Sequence, residues 1–268
     1  MAGRVLIVGA GSGIGEASAR RLAAEGFSVC LVGRRAEPLE ALAEELGGFA
    51  VPADAGRPEQ IEAAVDVAVA EFAGLDALVY SAGIGGGGAV HEQTLESWSR
   101  VLTTNLTGAF LTCRAALPHL VTSRGAIVTI ASLAGLRASP ASAAYCSSKA
   151  AVIMLTQSIA LDYGPHGVRA NCLCPGWIRT DMADAEMDEL AATLGGDRER
   201  AYELAVAQVP ARRVGAPTEV ADAMAWLLSP GARYVNGATI TVDGGAAVVD
   251  AGTLAFPRAP GPGSGETE

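Results

Sequence analysis

Two side chains able to exchange a proton stand four residues apart in "SPASAAYCSSKAAVIMLTQSIALDYG": Tyr145 and Lys149. The pattern around them is helical, so this spacing puts both on one face. A free tyrosine titrates at about 10, and a cation one turn away stabilises its phenolate, which makes Tyr145 a usable proton donor or acceptor. Such a pair alone is common on helices and means little. Ser132 adds weight, because it ends the apolar run "IVTIAS" a short loop before that helix. Its hydroxyl can then converge with Tyr145 and Lys149 beside a bound cofactor.

A second cluster lies near the start, in "RVLIVGAGSGIGEASARRLAAEG", residues 4–26. Gly9, Gly11, Gly13 and Gly15 follow an apolar run and open a helical one. Each glycine costs a regular element about 1 kcal/mol against alanine, so the cluster needs a reason. A strand-to-helix turn of this kind lets backbone approach a diphosphate while the helix start offers free N–H groups to it. The contacts would come from Gly9, Ser12, Gly13, Ile14 and Gly15; the alternative is merely a tight connection. Further on, "LVGRR" has Gly33 where many dinucleotide folds place an acid for the adenine ribose. Glycine followed by Arg34 and Arg35 suits a 2'-phosphate instead, which favours NADP(H) and leaves NAD(H) possible. The lack of a basic residue at Ser12 counts against that preference.

These groups need a scaffold that gathers them on one edge. Short aliphatic runs predict strands over 4–8, 28–32, 49–52, 77–81, 125–131, 169–173 and 238–242. Helical patterns fall between them, over 14–25, 37–46, 58–72, 95–121, 142–163 and 218–228. Strands apolar on both faces and alternating with helices predict a doubly wound, seven-stranded parallel sheet of the α/β Rossmann type in three layers. Ligands then bind beyond the carboxyl ends of the strands. One catalytic domain over 1–248 is expected. Within it, 177–213 holds no strand and reads as a pair of short amphipathic helices forming a lid. Residues 249–268, rich in Pro and Gly, read as a disordered tail.

Composition narrows the class. The 268 residues carry 19 Lys and Arg against 29 Asp and Glu, a net charge of -10 that argues against nucleic acid or anionic membrane as partner. Neither a signal peptide nor an apolar run of spanning length is visible, so a soluble cytoplasmic protein is expected. The five cysteines form no CxxC pair and the three histidines no ligand spacing. No metal is expected, and the cysteines read as small buried hydrophobes, with Cys172 and Cys174 assigned to opposite faces of one strand.

Taken in order, the motifs resemble those of the single-domain short-chain dehydrogenases/reductases over residues 3–245. The glycine pattern appears as "VGAGSGIG", the aspartate at the adenine as Asp54 in "ADAG", and the N-N-A-G segment as "YSAG". Ser132, Tyr145 and Lys149 match the S...Y-x-x-x-K set, Asn105 in "TTNLTGAF" the active-site asparagine, and "NCLCPGWIRT" the P-G-x-x-x-T segment. Val8, Tyr80 and Ser81 depart from the family pattern at positions that brace strands and the cofactor loop. Gly85 to Gly88 is an unusually long glycine run beside the expected substrate mouth, either a mobile loop or a plain connector.

The resemblance implies hydride transfer between a nicotinamide and a carbonyl or secondary alcohol. Ser132 would hold the carbonyl oxygen, Tyr145 would act as general acid/base, and Lys149 would bind the ribose and depress the Tyr145 pKa. Asn105 would hold a water linking Lys149 to solvent. It adds Asp54, Ala55, Ala82, Gly83, Pro175, Gly176, Ile178 and Thr180 to the cofactor contacts, with Ile178 and Thr180 fixing the carboxamide. A homotetramer is implied, built on the long helices near 95–121 and 142–163 and on the final strand. Some members are 3-oxoacyl-carrier-protein reductases, for which Arg124 and Arg137 would meet the acidic carrier, although the net charge counts against that partner. In the lid, Trp177, Met182, Met187, Leu190 and Leu194 offer either apolar substrate surface or the lid's own core. A silent, cofactor-binding sensor is the alternative of another class; the complete set of Asn105, Ser132, Tyr145 and Lys149 argues against it.

Overall fold

The computed structural model describes residues 3–254 and Phe256. Its strands are β1 (Arg4–Val8), β2 (Ser28–Gly33), β3 (Phe49–Pro52), β4 (Ala77–Tyr80), β5 (Ala126–Ile130), β6 (Arg169–Pro175) and β7 (Thr239–Val242). All seven pair in parallel, as the sequence predicted, and their order is β3-β2-β1-β4-β5-β6-β7. The order reverses between β1 and β4, and a crevice opens at such a switch point beyond the strands' carboxyl ends.

The helices are α1 (Gly13–Ala24), α2 (Ala36–Leu46), α3 (Pro58–Phe72), α4 (Leu95–Leu102), α5 (Gly108–Ser123), α6 (Ala143–Tyr163), α7 (Asp181–Leu194), α8 (Arg198–Ala205) and α9 (Pro217–Leu228). Alternation along each strand splits the core in two. Leu6, Val8, Cys30, Leu78, Tyr80, Ile127 and Cys172 pack with α3, α5 and α6. Val5, Ile7, Leu31, Val79, Val128 and Leu173 pack with α1, α2 and α9. Cys172 and Cys174 both join the first set. Their assignment to opposite faces is therefore corrected: a strand's period of two puts residues two apart on the same face. No cysteine is bonded to another.

The predicted helix over 95–121 is interrupted. Between α4 and α5, Thr103–Thr107 form a π-helical turn. Its cause lies in β4. The buried Tyr80 hydroxyl donates to the Thr104 carbonyl, and the Gly108 N–H, which an α-helix would direct there, reaches back to Thr103 instead. Gly108 permits this because a β-carbon there would collide with the Tyr80 oxygen. A departure from the family pattern at Tyr80 is thus matched by a glycine 28 residues later.

Segment 177–213 carries α7 and α8, whose Ala183, Met187, Ala191, Ala201 and Tyr202 form a small core of their own. Of the expected tail, Ala251–Thr253 make a 3-10 turn, and Arg137 donates to the carbonyls of Ala247 and Val249. Residue 255 and residues 257–268 lie outside the described residues. Among the described residues, no helix is long and apolar enough to cross a membrane, and no group of His, Cys, Asp and Glu could hold a metal.

Candidate active site

Because all strands run one way, the residues that follow β1, β4, β5 and β6 meet on one edge. After β1, the N–H groups of Gly9 and Ala10 donate to the Val32 carbonyl at 2.8 and 3.1 Å and turn the chain towards α1. A β-carbon at Gly9, where φ is +88°, would stand 2.7 Å from the Ala82 Cα, and one at Gly15 would overlap the Gly9 carbonyl. At Gly11 the nearest atom would be Leu39 Cδ1 at 3.8 Å, so the turn is tight below and open above. Ser12 stands before α1 without a side-chain cap bond, leaving the first N–H groups of Gly13, Ile14 and Gly15 for an anion. An open glycine cradle at an uncapped helix start fits the diphosphate of a dinucleotide.

The flanks of that cradle hold the other expected cofactor residues. After β2, Arg34 and Arg35 are exposed; Arg35 donates to the Gly11 carbonyl at 3.2 Å, while Arg34 has no partner among the described residues. After β3, Asp54 accepts the Gly56 N–H at 2.9 Å and fixes the loop that contains buried Ala55. Ala82 and Gly83 follow β4, and a β-carbon at Gly83 would lie 3.2 Å from Lys149 Nζ. Pro175 ends β6, and Gly176 donates to the Val242 carbonyl at 3.1 Å. Ile178 pairs with Gly215 in a short bridge, and Thr180 caps α7 with its Cγ2 3.0 Å from the β-position of Gly13. The base of the lid therefore touches the glycine turn.

Next to the cradle, Ser132 follows β5 and accepts the Ala134 N–H at 3.1 Å. Tyr145 is half-buried in the first turn of α6, and Lys149 Nζ stands 5.6 Å from its ring centre. Lys149 is buried and donates to the Ile130 carbonyl at 3.0 Å. Burial holds its ammonium down to about 8, opposed by the thiols of Cys172 and Cys174. Burial pushes the Tyr145 phenol up; the Ser132 hydroxyl beside it works the other way, and the carboxylate of Glu186 adds to the rise. Without a ligand, then, the phenol is held protonated rather than depressed.

Asn105 is fully buried in the π turn. Its Oδ1 accepts the Ile84 N–H at 2.8 Å, and its Nδ2 donates to the Ile84 carbonyl at 3.1 Å and to Ser148 Oγ at 3.0 Å. The amide thus fixes the segment that leaves Gly83, and Ser148 passes the contact on to the Tyr145 carbonyl at 2.7 Å.

Several contributors carry no motif. A β-carbon at Gly135 would come within 2.8 Å of the Lys149 carbonyl carbon, so this glycine lets the Ser132 loop sit on α6. Ser148, Gly108 and Glu186 are also invisible to spacing, because each matters through an element distant in sequence. The glycine run is pinned rather than loose: Gly88 donates to the Ala141 carbonyl at 2.7 Å, and Gly86 lies against Val101. In the lid, Met187 is buried in the local core and Leu190 packs on it, while Trp177, Met182 and Leu194 stay exposed. Arg124 precedes β5 at the amino edge of the sheet, packed over Gly167, and so is remote from the site. The expectation that Arg124 meets a carrier at the edge of the site is corrected, since residues before and after a strand lie on opposite edges.

Comparison with known proteins agrees with this geometry. A family model described as "Enoyl-(Acyl carrier protein) reductase" matches residues 9–247. The chain is 40% identical to "Protein MoaE" of Klebsiella aerogenes, over 96% of this chain and 100% of that one. It is 36% identical to meso-2,3-butanediol dehydrogenase of Serratia marcescens, over 92% and 95% of the two chains. Among solved structures, a single-residue variant of actinorhodin polyketide ketoreductase with NADPH superposes with a TM-score of 0.87 at 34% identity, over 91% and 97% of the chains.

Proposed function

Since the chain belongs to the short-chain dehydrogenase/reductase family, whose members bind a nicotinamide cofactor and act on alcohol or carbonyl groups, we propose that it is an NADP(H)-preferring reductase of ketones or dehydrogenase of secondary alcohols. The observation that carries this reading is the meeting of Ser132, Tyr145 and Lys149 at the carboxyl edge, beside a glycine cradle shaped for a diphosphate. A bound nicotinamide dinucleotide supplies or accepts the hydride. The chain's own residues do the rest. Ser132 donates to the carbonyl oxygen and orients it towards Tyr145, whose protonated phenol gives up its proton as the oxygen becomes an alkoxide. Lys149, held by the Ile130 carbonyl, binds ribose hydroxyls and keeps a positive charge beside the phenolate that remains. Asn105 holds the Ile84 segment in place through both ends of its amide. Ile178 and Thr180 hold the carboxamide end. Arg34 supports the choice of NADP(H), as does the NADPH in the similar ketoreductase.

A second reading, reduction of 3-oxoacyl groups on a carrier protein, draws on a similar 3-oxoacyl-[acyl-carrier-protein] reductase of Staphylococcus aureus, 35% identical over 90% and 96% of the two chains. Of its two proposed arginines, Arg124 is remote and Arg137 already binds carbonyls of Ala247 and Val249. The experiment is a panel of ketones and alcohols followed by nicotinamide absorbance with both cofactors, on the native enzyme and Tyr145→Phe. The variant is expected to lose turnover by roughly three orders of magnitude or more while still binding cofactor. Native activity in Tyr145→Phe would refute the assignment.

A further inference from the structure

The charged groups of α7 divide by face. Asp184 accepts the Tyr202 hydroxyl at 2.8 Å and pairs with Arg198 at 3.1 Å, and Arg198 also bonds Asp188 at 2.7 Å. These two carboxylates lie four apart on the side turned to α8. Glu186, midway between them, is turned to the other side. Its Oε1 lies 3.3 Å from the β-position of Gly85, two residues beyond the Gly83 that adjoins Lys149 and Asn105. It has no hydrogen-bond or ion-pair partner among the described residues. The carboxyl titrates high, chiefly through burial and then through Glu189, although the residue as a whole is open to solvent. Its charge also reaches Tyr145.

A carboxylate in that position has acceptor capacity and no donor to meet it. Leaving it partly dehydrated and unpaired is unfavourable, and a ligand that brings a donor relieves the cost. Resting on the reductase reading above, we propose that Glu186 is a specificity-determining residue that selects carbonyl substrates carrying a hydrogen-bond donor, a hydroxyl or an ammonium, near the reacting carbon. By the same charge it rejects substrates with a carboxylate there. The two donor sources differ in what they need: an ammonium requires the charge of Glu186, whereas a hydroxyl requires only an acceptor.

The test compares kcat/KM for butanone, acetoin, the amino analogue of acetoin and oxobutanoate, on the full-length enzyme and on Glu186→Gln and Glu186→Leu. The native enzyme should prefer at least one donor-bearing ketone over butanone by about tenfold or more and should use oxobutanoate worst. In Glu186→Leu that preference ratio should fall by about tenfold, with the loss mainly in KM, and oxobutanoate should gain relative to butanone. Glu186→Gln should retain part of a preference for the hydroxyl but lose one for the ammonium. Equal use of butanone and its donor-bearing analogues by the native enzyme, or an unchanged ratio in Glu186→Leu, would overturn the subsite alone. A native enzyme that reduces none of the four yet turns over other members of the wider panel would overturn the subsite alone, and one that turns over nothing in the wider panel with either cofactor would overturn the reductase reading and the subsite with it. Circular dichroism of both variants separates loss of fold from loss of selectivity, since Glu186 lies outside the lid's own core.

Discussion

Of the two arginines that follow β2, Arg34 has no partner among the described residues, whereas Arg35 gives one N–H to the Gly11 carbonyl and keeps its other donors. A guanidinium free of internal partners can offer its whole donor fork to a phosphate. Arg34→Asp is therefore expected to move the ratio of kcat/KM for NADPH and NADH towards NADH by about tenfold or more. An unchanged ratio would show that the arginine does not read the ribose. Arg34, like Tyr145, Lys149 and Ser132, could be found in the sequence because a short spacing next to one element places it. What spacing could not give is environment. The Tyr145–Lys149 pair suggests a depressed phenol, yet both groups are shifted against their charged forms by burial, which depends on the whole cleft. In the proposed mechanism this protonated phenol is the proton donor, with Lys149 the cation beside the phenolate that remains. Glu186 was out of reach for the same reason: its role follows from which way α7 is turned.

At the scale of elements, the π turn is the least predictable feature and the one on which Asn105 depends. Tyr80→Phe removes the hydroxyl that holds the Thr104 carbonyl and leaves that carbonyl buried without its partner. The expected loss is about 1–3 kcal/mol in stability. The Gly108 N–H can then return to Thr104 and restore an α-helical turn, which rotates Asn105 away from Ile84 and Ser148. A lower unfolding temperature together with a drop in kcat is the predicted result, read by thermal melting and steady-state assay. A variant with lowered stability but native kcat would show that Asn105 keeps its place without the turn. Hydrophobic periodicity predicted one helix over 95–121 because the segment is helical on both sides of the turn, and because the group that holds the turn sits on a strand. The strands and the other helices were legible, their bounds shifting by a residue or two, since each pattern is set by its own burial.

Across the whole molecule, the parallel sheet sends every candidate catalytic side chain to one edge and leaves the flanks of the outer helices free for other contacts. On α6, Met154 is 60% exposed and Leu161 78% exposed. They are seven apart, two turns, and so share a face; Phe110 on the neighbouring α5 is 45% exposed. Fully burying a side chain of this kind is worth roughly 1.5–3 kcal/mol, so a helix that presents two of them to water gains from a second copy. The same long helices are those through which the family resemblance implies a homotetramer. Light scattering of the native protein is accordingly expected to give the mass of four chains. The double change Met154→Glu and Leu161→Glu places two carboxylates where each copy would meet the next, and should lower the mass to that of two chains or one. Because neither residue lies at the carboxyl edge, cofactor binding measured by fluorescence should survive the dissociation. A native protein that scatters as one chain, or a double variant that keeps the native mass, would place the association elsewhere or remove it.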